Sequence, residues 1–146
     1  MKKLLILLTV TVTIVMMSVL GFAGVVNARA TGATRFEVTA TEDAIEGSSA
    51  RAVINQNANG DYIVVVQVRS AQPDQWMILG VGSGWRVAEF QTNEVGNATV
   101  QVILIVGNEY HGEVFYGIGG VIQVRLIDEP GASGGDRIFR TDIPEL

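Results

Sequence analysis

Cysteine is absent from the 146-residue chain, histidine occurs once (His111), lysine stands only at positions 2 and 3, and there are three prolines. Disulfides, thiol catalysis and cysteine-based metal sites are therefore excluded, and a zinc site lacks the three or four nitrogen and sulfur donors it requires. The missing cysteine leaves the compartment open, because many exported bacterial proteins also lack it. Beyond Ala30 every basic residue is an arginine: Arg35, Arg51, Arg69, Arg86, Arg125, Arg137 and Arg140 stand against fifteen carboxylates, a formal charge of −8. They are scattered singly along the sequence. Nothing in that spacing offers a basic stripe to neutralise phosphates, so nucleic acid is not an expected partner. Sustained helical stripes with caps are also missing after the first thirty residues, which argues against an α/β fold.

What is present begins with an apolar leader. The run MKKLLILLTVTVTIVMMSVLGFAGVVNARA has two lysines, an uncharged stretch from Leu4 to Ala28, and small residues at 28 and 30 in the A-x-A arrangement that signal peptidases accept. It is also long enough for the ~20 residues that span a bilayer. Two outcomes stay open: removal with a mature start at Thr31, or retention as an anchor through residues 4–26. In either case Lys2 and Lys3 stay cytoplasmic and the rest lies outside. The expected organisation is a signal peptide or anchor over 1–30 and an extracytoplasmic domain over 31–146.

After the leader the apolar period is two. RFEVTATEDA places Phe36, Val38 and Ala40 on one face, SARAVIN places Ala50, Ala52 and Ile54 together, and YIVVVQV aligns Tyr62, Val64, Val66 and Val68. Ile63 and Val65 make the opposite face of that last strand apolar as well, which predicts a central strand covered on both sides at one end. Further strands are expected over 75–81, 85–91, 97–106, 121–127 and 137–143. Asn59-Gly60 supplies the signal for a tight hairpin, and Pro73, Gly82-Ser83-Gly84, NEVGN and DEPGASGGD mark later breaks. Eight short strands at regular spacing predict an all-β chain, a single antiparallel β-sandwich of immunoglobulin-like type preceded by an apolar leader helix.

The run GSSARAVINQNANGDYIVVVQVRSAQP, residues 47–73, combines small residues, an Asn-x-x-Gly turn and a valine-rich strand. It resembles the central hairpin of secreted β-sandwich domains of the CHRD type. The segment that carries histidine in such domains reads DQWMILGVGSGW here. The resemblance implies an extracellular β domain and transfers no functional residue.

Motifs for bond-making chemistry lack their context. GASGG at 131–135 puts Ser133 in the G-x-S-x-G nucleophile position, yet no helix follows it and His111 precedes it, so a flexible loop is expected. GVGSGW has neither the lysine nor the helix of a phosphate loop. Asp128, Glu129 and Asp136 flank a glycine-rich loop and form a calcium candidate of the hard-oxygen kind, without the regular spacing of a calcium-binding loop; no metal is otherwise expected, and no cofactor. His111, in the polar stretch GNEYHGE, reads as an exposed loop residue. The sequon Asn97-Ala98-Thr99 matters only in a host that transfers glycans to asparagine.

Aromatic residues supply the remaining site candidates. Trp76, Trp85, Tyr110 and Tyr116 fall around two predicted loops, where aromatic rims stack sugars or anchor partners, although tryptophan in a small sandwich is more often core. The expectation is a non-enzymatic structural or interaction domain at the cell surface, with protein partners or self-association. A carbohydrate- or other ligand-binding module is the alternative. Exposed, coplanar tryptophans would favour the module and buried ones the structural role.

Overall fold

Period-two alternation becomes strand along most of the runs that show it, although the first strand ends at Val38 and leaves the expected face member Ala40 exposed beyond it. The computed structural model describes residues 32–110 and 112–144, with ten strands among them: β1 Thr34–Val38, β2 Ser49–Gln56, β3 Tyr62–Arg69, β4 Trp76–Gly82, β5 Trp85–Gln91, β6 Ala98–Leu104, β7 Glu109–Tyr110, β8 Glu113–Val114, β9 Val121–Ile127 and β10 Arg137–Asp142. The expected leader helix and its role as signal or anchor lie outside the described residues. No helix among the described residues is long and apolar enough to cross a membrane.

All pairings are antiparallel. One sheet has the order β1-β2-β3-β6, the other β10-β9-β4-β5, and β7 pairs with β8 in a small hairpin. The two four-stranded sheets pack face to face as a β-sandwich. Strand order departs from the immunoglobulin arrangement, in which the second and third strands lie in different sheets. Here β2 and β3 are neighbours over their whole length, Ser49↔Arg69 through Gln56↔Tyr62. The immunoglobulin-like expectation therefore holds for the layering and not for the topology.

The core is the set of residues that alternation turns inward. Ala50, Ala52 and Ile54 from β2 and Val64, Val66 and Val68 from β3 are fully buried, with Met77, Leu79 and Val81 from β4, Ile122 and Val124 from β9, and Phe139 from β10. Burying each larger side chain contributes about 1.5–3 kcal/mol. Ile63 and Val65 do face the other way, but that face is left half-exposed, so the expected double cover of β3 does not occur. Central position in the sheet, not burial on both faces, accounts for the apolar run.

The β2–β3 connection is longer than Asn59-Gly60 alone would make it. Five residues, 57–61, join the strands, and Gly60 takes φ +88° while Asn59 does not adopt a positive φ. The side chain of Asn57 organises the loop: its Oδ1 accepts from the backbone N–H groups of Asn59 and Asp61, both at 2.9 Å. An asparagine that bonds to backbone two residues on replaces the two-residue turn.

Two crossings between the sheets run side by side. Residues 70–75 lead from β3 to β4 and residues 92–97 from β5 to β6, joined by Ala71 N–H to Gly96 O at 3.0 Å and Thr92 N–H to Gln75 O at 3.1 Å. Thr92, buried, accepts from Gln75 N at 2.9 Å and donates to Gln72 O at 2.6 Å. The Asn97 carboxamide of the sequon accepts from Ser70 N–H at 3.0 Å. On the opposite side, β1 and β10 are tied across the sandwich by the Ala40↔Phe139 bridge and by Thr41 N–H to Ile138 O at 2.9 Å.

Candidate functional site

The aromatic candidates separate. Trp85 starts β5 and Trp76 starts β4, which runs antiparallel to it, so the two indoles sit at opposite ends of one hairpin. Trp85 is stacked on Tyr110, with ring centroids 6.5 Å apart and planes 14° apart. Phe115, fully buried, meets Trp85, Tyr110 and Tyr62 edge-on, each at 5.9 Å between centroids. Trp85 Nε1–H donates to Glu113 at 3.2 Å and Tyr110 Oη accepts from Ile105 N–H at 3.0 Å, so both polar handles are engaged. This cluster is an end-cap of the core.

The cap depends on the hairpin β7–β8, which the polar reading of GNEYHGE did not foresee. Backbone bonds Gly107 N–H to Phe115 O at 2.7 Å and Phe115 N–H to Asn108 O at 2.8 Å close it. His111 lies outside the described residues. Tyr116, the next residue after Phe115, turns outward and is 81% exposed. The expected grouping of Trp76, Trp85, Tyr110 and Tyr116 is therefore corrected: Trp85 and Tyr110 meet in the cap, while Trp76 and Tyr116 stand apart from the pair.

No group of three or more His, Asp or Glu side chains that could hold a metal ion occurs among the described residues, so Asp128, Glu129 and Asp136 do not converge as the calcium candidate requires. The loop that carries them, 128–136, instead folds over the outer face of the second sheet. Arg86 Nη1 donates to Ala132 O at 2.9 Å, and Gly131 N–H donates to Glu89, which also pairs with Arg86. Ile78, Ile127 and Gln123 are thereby buried although they point away from the main core. Ser133 is an exposed member of this loop.

The sandwich edges differ in protection. The β1 and β10 sides are bridged to each other, and β5 carries Arg86 and Glu89, lies against a bulge in its pairing with β4 and is fastened to the 128–136 loop. Strand β6 is different. It ends its sheet, carries seven uncharged residues (ATVQVIL), and has no partner on its outer edge among the described residues. On its outward face Ile103, 52% exposed, pairs in register with Ile63, and the chain continues into exposed Ile105 and Val106. Natural edge strands are usually blunted by charge, proline or bulges, and β6 has none of these.

Compared with known proteins, the chain matches no family model, no curated protein and no solved structure.

Proposed function

We propose that the domain acts outside the membrane as a non-enzymatic assembly module, in which β6 pairs antiparallel with β6 of a second copy. The bare β6 edge carries this reading. A two-fold axis through Gln101 sets Val100 opposite Val102 and Thr99 opposite Ile103 of the other copy, continuing the four-stranded sheet into one of eight strands. Self-pairing is favoured over a foreign partner because the strand is neutral in a domain of charge −8: two acidic copies can meet along it without setting like charges side by side. The exposed Ile103, Ile105 and Val106 add apolar area beside the ladder.

A sugar-binding module needs an open aromatic face. Trp85 stacks one face on Tyr110 and meets Phe115 edge-on within the cap, and among the described residues it makes no ring contact with Tyr116 or Trp76, which supports assembly over glycan recognition. Sedimentation of the protein produced from the full-length chain tests the proposal. Concentration-dependent dimers are expected, and Gln101→Lys, which sets two lysines opposite each other at the axis, should weaken them at least tenfold. A strict monomer over the whole range overturns pairing. Saturable glycan binding lost in Trp76→Ala would establish the alternative instead.

A further inference from the structure

On the outer face of the second sheet the strand register builds two neighbouring rungs. One runs Arg86, Gly80, Gln123, Arg140; the next runs Glu89, Ile78, Arg125, Arg137. Four of the seven arginines beyond Ala30 thus lie on one face, with a single carboxylate among them in these rungs. Glu89 is committed to Arg86 and to the Gly131 N–H, and Arg86 also holds Ala132 O, so that pair fastens the 128–136 loop as a roof. Arg125 and Arg137 stand directly opposite each other across β9 and β10, and neither makes an ion pair among the described residues. Like charges in that position destabilise a sheet. The Nε atoms of both are buried without a hydrogen-bond partner.

Under the roof is a cleft of about 170 Å³. Arg125, Arg86, Gln123 and Ser133 line it, and among the described residues no carboxylate does. Gln123 is only 8% exposed, and its amide makes no hydrogen bond among the described residues. Gly80 and Gly84 leave room for its side chain, since a Cβ built at either position would lie 2.9 Å from Gln123. A buried guanidinium N–H without a partner costs free energy comparable to a lost hydrogen bond. A guest rich in oxygen acceptors would offer Arg125 and Gln123, which both line the cleft, the partners they lack.

We propose that this cleft binds a compact oxyanion, with the Arg125 guanidinium as the charged donor, the Gln123 amide and the Ser133 hydroxyl as neutral donors, and the Arg86–Glu89 pair holding the roof in place. Phosphate-type and carboxylate groups share the chemistry, since a guanidinium fork bonds either through two oxygens. The cleft has several times the ~30 Å³ share of a water molecule, which leaves room for such a group, free or at the end of a larger molecule. The site lies on the sheet opposite β6 and does not depend on β6 pairing.

Thermal unfolding of the protein produced from the full-length chain tests it, using inorganic phosphate and sodium acetate, each against sodium chloride at matched ionic strength. A saturable rise in Tm of several degrees is expected with at least one oxyanion and not with chloride, because a ligand that binds only the folded state stabilises it by mass action. Arg125→Gln should unfold at a higher temperature than the unaltered protein without oxyanion, having lost its opposition to Arg137, and should no longer respond. Gln123→Ala should weaken the apparent affinity about tenfold. Arg69→Gln, on the other sheet, should respond as the unaltered protein does. Phosphate without acetate identifies a tetrahedral ligand, and acetate without phosphate a carboxylate; either upholds the site. An equal rise with chloride, an unchanged response in Arg125→Gln, or no response to any oxyanion overturns it.

Discussion

Trp85 and Tyr110 stack nearly parallel, and the pair is held edge-on by the buried Phe115. The β7–β8 hairpin is thereby fastened to the core through rings. Phe115→Ala should cost about 3–5 kcal/mol, the range for removing a buried phenylalanine, whereas Tyr116→Ala next to it should change stability by less than ~0.5 kcal/mol. Urea unfolding midpoints measure both. Equal effects would show that the cap does not close the sandwich.

Val66 sits mid-strand in β3, paired with Ala52 and Val100 and fully buried. Val66→Asp would place a carboxylate among apolar neighbours with no partner and should abolish cooperative unfolding. Circular dichroism on heating is the measurement. A transition unchanged from that of the parent chain would mean that this face of β3 is not interior.

Gly60 and Gly135 both have positive φ, but their surroundings differ. A Cβ at Gly60 meets only Gln56 Nε2 at 3.8 Å, while one at Gly135 would lie 1.5 Å from the Leu126 carbonyl oxygen. Gly60→Val should therefore cost about 1–3 kcal/mol from backbone strain alone. Gly135→Ala should cost more, because the 128–136 loop must also move off β9. Denaturant titration of the two variants ranks them, and the reverse order would contradict the close approach at Leu126.

Much of the architecture was legible because alternation is a local signal. Val64, Val66 and Val68 could be assigned to one face from spacing alone, and every long strand falls within two residues or so of its apolar run. The hairpin at Glu109–Val114 could not be read, since strands of two residues carry no period. Asn59-Gly60 looked like the turn because its dipeptide is a strong signal; Asn57 prevailed through hydrogen bonds that spacing does not reveal. The uncommitted Gln123 and Arg125 were invisible for another reason. Their isolation follows from register across four strands and from a loop folding back over them, and both are tertiary events. Arginines scattered singly in the sequence become neighbours only once β5, β9 and β10 are in line.

The strand order also bears on synthesis. All four strands of the β1-β2-β3-β6 sheet are complete once Leu104 has been made, but β4 must wait for β9 and β9 for β10. At ~5–20 residues per second the stretch from Leu104 to Asp142 takes about 2–8 s. Until β9 is made, at Val121–Ile127, the nascent chain can cover its Val64, Val66 and Val68 face with no more than the β4–β5 hairpin, and until Asp142 the second sheet lacks β10. A chaperone that shields apolar strands is most needed in that window, and stalling translation between Leu104 and Val121 should leave the chain more prone to aggregate than stalling it after Asp142.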